Sequence, residues 1–240
     1  PIDPTPTVAV VGIIEKPEHV TTQWFKDEGD AIILLGDPVD TGDPLQGLGG
    51  SAYLQVIHGK KSGSPPRCDL ETARTLHTTL LGLIQVGGIK SAHDCSEGGL
   101  AVTLAESCIS QLVARETPRL IGAQIDLSAI GAQSSSSASS SEAGASRSSS
   151  AVPGEAGASR SNLRLDALLF GETQSRVIIT CAALDAVKMV ERAKLLGVPA
   201  ARIGTVGGDT LAIQTGAGEF TAPLSELHDL WWNSIARAMA

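Results

Sequence analysis

Long apolar runs are missing from this 240-residue sequence: none approaches the roughly 18 residues that a membrane-spanning helix needs, which excludes an integral helical membrane protein. Aromatic residues are scarce at 3 %, too few for a base-stacking platform. Positive charge is in deficit: 18 Lys and Arg stand against 26 Asp and Glu, a net charge of −8 with no basic patch, so nucleic acid is not expected as the main partner. Cysteine is limited to Cys68, Cys95, Cys108 and Cys181. No two of them form a CxxC pair, which argues against a zinc site and a disulfide framework and for reduced thiols in the cytoplasm. No signal-peptide pattern follows Pro1, and the chain reads as a piece of something longer. What is plentiful is hydrophobic material, 42 % against 18 % charged, enough for the core of one domain of roughly 200 residues or two small ones.

One segment stands apart. From Gln133 to Asn162 the chain is Ser, Ala and Gly, and Glu142-Ala-Gly-Ala-Ser-Arg-Ser148 recurs as Glu155-Ala-Gly-Ala-Ser-Arg-Ser161. Such a composition buries too little apolar area to offset ordering entropy, about 1–2 kcal/mol per residue for the backbone, so a disordered insertion in a surface loop is expected. Elsewhere apolar runs alternate with periodic segments. Val8–Ile14, Ala31–Leu35 and Ala52–Ile57 read as strands, and so do Ile89–His93, Ile121–Leu127, Arg176–Thr180, Ala201–Val206 and Leu211–Gln214. Asp69 caps a helix that runs to about Val86 on a stripe of Leu70, Ala73, Leu76, Leu80, Leu81 and Ile84, stopped by Gly87-Gly88. Further helices are expected over Leu100–Ile109, Leu184–Leu196 and from Ser225 to Met239. The order suggests an α+β fold with helices packed on a mixed sheet, and by itself it also permits a doubly wound α/β fold.

The most informative stretch is Ser91-Ala-His-Asp-Cys-Ser-Glu-Gly-Gly-Leu-Ala101, a strand end running into a helix start. Gly98 and Gly99 fall in the first turn, where each glycine costs up to about 1 kcal/mol relative to alanine. Phosphate approaching bare N–H groups at the helix N-terminus would explain them, with Asp94 holding a Mg²⁺ that the phosphate shares. A tight turn capped by Ser96, its glycines packed under a neighbouring strand, explains them as well. In Gly171-Glu-Thr-Gln-Ser-Arg176, an extended backbone would put Glu172 and Gln174 on one face, suited to a polar ligand or cation, or to solvent. Gly47–Ser51 fits neither common phosphate-loop pattern and reads as a loop between strands. His19, His58, His77 and His228 have no ligand spacing; His93 beside Asp94 and Cys95 without a base read as structural.

Four segments in this order carry a resemblance: Pro4-Thr-Pro-Thr-Val-Ala-Val-Val-Gly-Ile-Ile14, Leu48-Gly-Gly-Ser51, the Ser91–Ala101 stretch and Gly171–Arg176, with Leu230-Trp-Trp through Met239 fitting at the end. The chain resembles the C-terminal part of the phosphoribosylformylglycinamidine synthases, within the aminoimidazole-ribonucleotide-synthase superfamily. The resemblance implies an ATP-dependent ligase of purine biosynthesis. It implies Mg²⁺ and ATP or ADP as cofactors, and the N-terminal domains of the same synthase and a glutaminase as partners. It places residues 1–6 in the tail of an upstream domain and 7–240 in one C-terminal domain. It implies Asp94 as metal ligand and Ser96, Gly98, Gly99, Glu172 and Gln174 as nucleotide or phosphate contacts. The family's catalytic His and ATP-binding Lys fall upstream of Pro1, so no catalytic residue is assigned. Thr173 stands where the family motif has Ser, and Ala52 where it has Glu. Other ATP-using superfamily members, selenophosphate synthetase or thiamine-phosphate kinase, remain open, as does a non-catalytic domain holding a structural nucleotide.

Overall fold

The computed structural model describes residues 7–114, 117–130 and 163–240. The expected insertion at Gln133–Asn162 and the tail at 1–6 lie outside them. Strands are β1 (Ala31–Leu35), β2 (Ser91–Asp94), β3 (Leu112–Ala114), β4 (Thr117–Pro118), β5 (Ala123–Asp126), β6 (Val177–Cys181), β7 (Ala200–Val206), β8 (Thr210–Thr215) and β9 (Gly218–Pro223). Helices are α1 (Ala52–His58), α2 (Leu70–Gln85), α3 (Gly99–Ile109), α4 (Leu165–Phe170), α5 (Ala186–Leu195), α6 (Leu224–Trp232) and α7 (Ser234–Met239). Seven strands form one mixed sheet in the order β2-β6-β1-β7-β5-β8-β9, antiparallel throughout except for the parallel pair β5 and β8; β3 and β4 make a separate ribbon. The fold is α+β, as the sequence suggests.

The centre of the sheet explains itself. Every residue of β1 and β6 is buried, because both faces of these strands are covered by helices; β1 reads as an unbroken apolar run, and β6 departs from one only at Thr180, whose hydroxyl is hydrogen-bonded to that of Ser91. Ala31, Ile33 and Leu35 pack with Val177, Ile179 and Cys181 against Leu76 and Leu83 of α2 and Met189 and Ala193 of α5. Ile32, Leu34 and Ile178 face the other way, onto Leu100, Leu104 and Cys108 of α3, Leu168 and Leu169 of α4 and Leu224 of α6. At β5 the pattern changes to alternate burial, with Ala123 and Ile125 inward and Gln124 and Asp126 outward. That is the signature of a strand covered on one face only.

Several expectations are corrected. Ala52–Ile57 is a helix, not a strand: the Ser51 hydroxyl accepts from Leu54 N at its start, and Gly59 closes it in the left-handed conformation at φ 62°. Gly47–Ser51 therefore joins a strand to a helix. Helix α2 is capped by Asp69, which accepts from Thr72 N, but its buried face is Leu76, Thr79 and Leu83; Leu70 and Leu81 point to solvent. The C-terminal helix is broken at Asn233 into α6 and α7, and starts after Pro223 rather than at a Ser225 cap. Strand β9 was not expected; its GEFTAP sequence lies on the sheet edge with no apolar alternation to mark it. Most plainly, Val8–Ile14 forms no strand and is not buried: Val8, Val10, Val11, Ile13 and Ile14 are all exposed, with Val11 at 97 %. No ladder partner lies beside it among the described residues, and a β-branched run cannot become a strand without one.

Candidate functional site

Three of the four motif segments meet in space, and Glu172 is the residue that joins them. Its Oε1 accepts a hydrogen bond from Ala52 N, at the first turn of α1, at 2.8 Å, and another from Gly98 N, at the start of α3, at 2.9 Å. Its own backbone N–H donates to the Gly47 carbonyl at 2.8 Å. A carboxylate accepting from the N-terminal N–H groups of two helices gains from charge-assisted bonding and from both helix dipoles. The anion that this turn holds is thus supplied by the chain itself.

The two glycines are explained by backbone geometry. Gly98 is the N-cap of α3 at φ 76° and Gly99 follows at φ 66°, a conformation that residues with a Cβ avoid. A Cβ on Gly99 would lie 2.5 Å from the Gly171 carbonyl oxygen and 2.9 Å from the Phe170 carbonyl carbon, because the end of α4 sits directly against the start of α3. Gly98 N–H is taken by Glu172, and Gly99 N–H donates to the Ser96 carbonyl at 3.0 Å. Ser96 is not the cap: its hydroxyl donates instead to Asp94.

Asp94 ends β2 with its side chain 70 % exposed, and the Ser96 hydroxyl holds its carboxyl below the usual carboxylate range. His93, mostly buried, bridges from β2 to α3: its Nε2 is 2.9 Å from Glu106 Oε2, and its Nδ1 is 3.5 Å from Asp94 Oδ1. Burial disfavours the imidazolium, but the Glu106 and Asp94 carboxylates outweigh it and His93 titrates above its ordinary value. Cys95 is buried, and burial pushes its thiol up, as befits a packed side chain rather than a nucleophile.

Gln174 does not share a face with Glu172. Residues 171–176 are not extended into a strand; Ser175 takes a positive φ of 61° and turns the chain before β6. Gln174 lines a half-open cleft of about 700 Å³, between the 36–41 loop, the start of α2 and Pro199–Ala201. Neither Asp94, Ser96, Gly98, Gly99 nor Glu172 lines that cleft. Among the described residues no three His, Cys, Asp or Glu side chains converge as a metal site. Asp94 alone does not fit a Mg²⁺ site contained in this chain.

Arg176 is the residue the sequence reading missed. It is 2 % exposed, and its guanidinium donates to the carbonyls of Thr173, Pro38 and Gly171, with no carboxylate among the described residues bonded to it. It ties the 171–175 turn to the loop after β1 and so sets where Glu172 starts from. The signal was an arginine directly before a β-branched, wholly buried strand, a place where a charged side chain has to find partners or face water.

The family described as AIR synthase related protein, C-terminal domain, matches residues 27–215. The phosphoribosylformylglycinamidine synthase subunit PurL of Anaeromyxobacter sp. (strain K) is 36 % identical over 235 residues, covering 97 % of this chain and 25 % of that protein. The chain therefore spans about a quarter of the length of the curated relatives it matches. Among solved structures, T. maritima PurL complexed with FGAR aligns with a TM-score of 0.60 at 16 % identity over 88 % of this chain and 30 % of that one. The same protein complexed with ATP aligns with a TM-score of 0.53 at 16 % identity over 88 % and 28 %. At these identities the two structures establish a shared fold.

Proposed function

The chain belongs to the AIR synthase related protein, C-terminal domain family, and from that premise we propose that it is the C-terminal quarter of a phosphoribosylformylglycinamidine synthase. That enzyme is an ATP-dependent carbon–nitrogen ligase of purine biosynthesis, acting in the cytoplasm. The observation that carries the reading is identity to the Anaeromyxobacter protein across nearly the whole chain, supported by the convergence of the family's motif segments on Glu172. In this reading the N-terminal domains of the same synthase supply the catalytic groups and the ATP-binding lysine, and a glutaminase supplies ammonia.

Within that frame Asp94, Ser96, Gly98, Gly99, Glu172 and Gln174 keep distinct parts. Asp94, exposed and ionised, is the side chain free to reach a ligand from outside this chain. Glu172 holds the starts of α1 and α3 together, so phosphate would reach the Gly98 N–H only if that carboxylate swung aside. Gln174 serves the neighbouring cleft. A bound Mg²⁺ would supply charge neutralisation to ATP or ADP, and its remaining ligands would come from the nucleotide and from other domains.

Synthase assays test the reading. The 240-residue chain alone is expected to show no turnover with ammonia, ATP and the formylglycinamide ribonucleotide, whereas the longest product of its gene should convert the substrate in an ATP-dependent manner. Turnover by the chain alone, or none by that product, overturns it. Asp94→Asn in that product should leave the melting temperature without ligand within a few degrees, since exposed substitutions stay within about 0.5 kcal/mol. It should remove the Mg²⁺-dependent part of the thermal shift produced by ADP, about 2.7 kcal/mol at a hundredfold excess over Kd. Equal Mg²⁺-dependent shifts in both proteins would make Asp94 a turn residue only.

A further inference from the structure

The segment Val8–Ile14 has the composition of a strand and the surroundings of none. Five of its seven residues are Val or Ile, and each of those five is at least 67 % exposed. In an extended backbone Val8, Val10 and Ile14 fall on one side and Val11 and Ile13 on the other. Both sides are apolar, which is the pattern of a strand covered on both faces, as β1 is in this same chain. Neither edge of the described sheet receives it. The β2 edge takes a bridge from Thr22 to Ser91, with Ala92 N donating to the Thr22 carbonyl at 3.1 Å; the β9 edge is solvent-facing.

Two further observations say what covers it. The segment lies before residue 27, where the family match begins, while the match to the Anaeromyxobacter protein takes in 97 % of the chain. And that relative carries three further quarters of polypeptide beyond the part aligned. Polypeptide outside the matched domain is therefore available to cover this segment.

From this we infer that Val8–Ile14 is a strand of the neighbouring unit: it leaves this domain and inserts into a β-sheet formed by the preceding part of the same polypeptide, buried there on both faces. The structural boundary between the two units falls after Ile14 rather than after residue 6, and residues 15–21 are the connection, since Thr22 bridges to Ser91 and Phe25 is buried in this domain's core. Strand addition of this kind satisfies the backbone through ladder bonds, and the alternating side chains through two packed layers. The inference rests on the family membership stated above but not on any catalytic property of the synthase.

Amide hydrogen exchange on the longest gene product and on the 240-residue chain tests it. Amides of 8–14 should exchange near the unprotected rate in the chain alone and at least about 100-fold more slowly in the longer protein. Val11→Lys provides the second reading. In the chain alone, where Val11 is 97 % exposed, it should leave the melting temperature unchanged; in the longer protein it should lower it by several degrees. Fast exchange in both proteins overturns the inference. So does protection in the chain alone that rises with concentration and vanishes in Val11→Lys, which would make a second copy the occupant. Protection in a longer protein devoid of synthase activity would sink the ligase reading and leave the strand standing; activity without protection would do the reverse.

Discussion

Arg176→Met is expected to destabilise the chain by about 3 kcal/mol and to loosen Glu172 from both helix starts. Methionine keeps much of the buried stem but leaves the carbonyls of Thr173, Pro38 and Gly171 without their donor. A buried polar group that loses its partner costs about 1–3 kcal/mol, and part of the sum is returned because an unpaired guanidinium no longer has to be desolvated. Burial already works against the charge, holding Arg176 below its ordinary value. Arg176→Lys should lose nearly as much, since an ammonium on a single stem cannot span three carbonyls that a planar fork reaches together. Urea melts give the stability, and exchange at the Ala52 and Gly98 amides reports the clamp. A loss below about 1 kcal/mol in both variants, with those amides still protected, would show that the turn stands without Arg176.

Lys90→Met is the second large effect. Lys90 Nζ lies 2.7 Å from Asp30 Oδ1 and 2.8 Å from Asp27 Oδ2, and Asp30 is 3 % exposed with its Oδ2 bonded to nothing among the described residues. Removing the ammonium strands a buried carboxylate, which costs about 3 kcal/mol, the low end for a broken buried pair because Lys90 is itself partly in water. Adding Asp30→Asn should recover much of the loss. The two carboxylates hold Lys90 above its ordinary value of 10.5, Asp27 foremost. A raised folded value means that the contribution is present at neutral pH and lost as pH rises through the folded value. The gap between wild type and Lys90→Met should therefore be level through neutral pH and shrink as pH climbs past 10.5. A level gap into the alkaline range would assign the loss to packing instead.

What could be read from the sequence follows from where each signal was local. Strand β1 was legible as an unbroken apolar run, β6 as the β-branched stretch read at Arg176–Thr180, α2 from the Asp69 cap and its Gly87 stop, and α3 from Leu100, Leu104 and Cys108, all buried. Ala52–His58 was misread because Tyr53, Val56 and Ile57 favour strands, while its helical state depends on the Ser51 cap and on Glu172 arriving from 120 residues away. Val8–Ile14 was read as a strand on its composition, and nothing in the described residues pairs with it. At the site, three of the motif segments meet in space, but how they are joined was not legible. Which anion the Gly98 N–H holds depends on the turn at Ser175, a positive φ at a serine that no local pattern announces.

The Glu172 clamp also has a place in time. Its two hydrogen bonds close loops of 120 and 74 residues, so neither forms until the chain between has been gathered in. Contacts of such long range incur their loop entropy before they return anything, and the β1–β6 pairs, from Leu35 with Val177 to Ala31 with Cys181, incur still more of it. The strand pairs β1–β6 and β2–β6 must already be in register for residue 172 to stand between residues 52 and 98. A copy of the domain without that register would leave the starts of α1 and α3 without their shared carboxylate, so the motif loops are joined only as well as the sheet is paired.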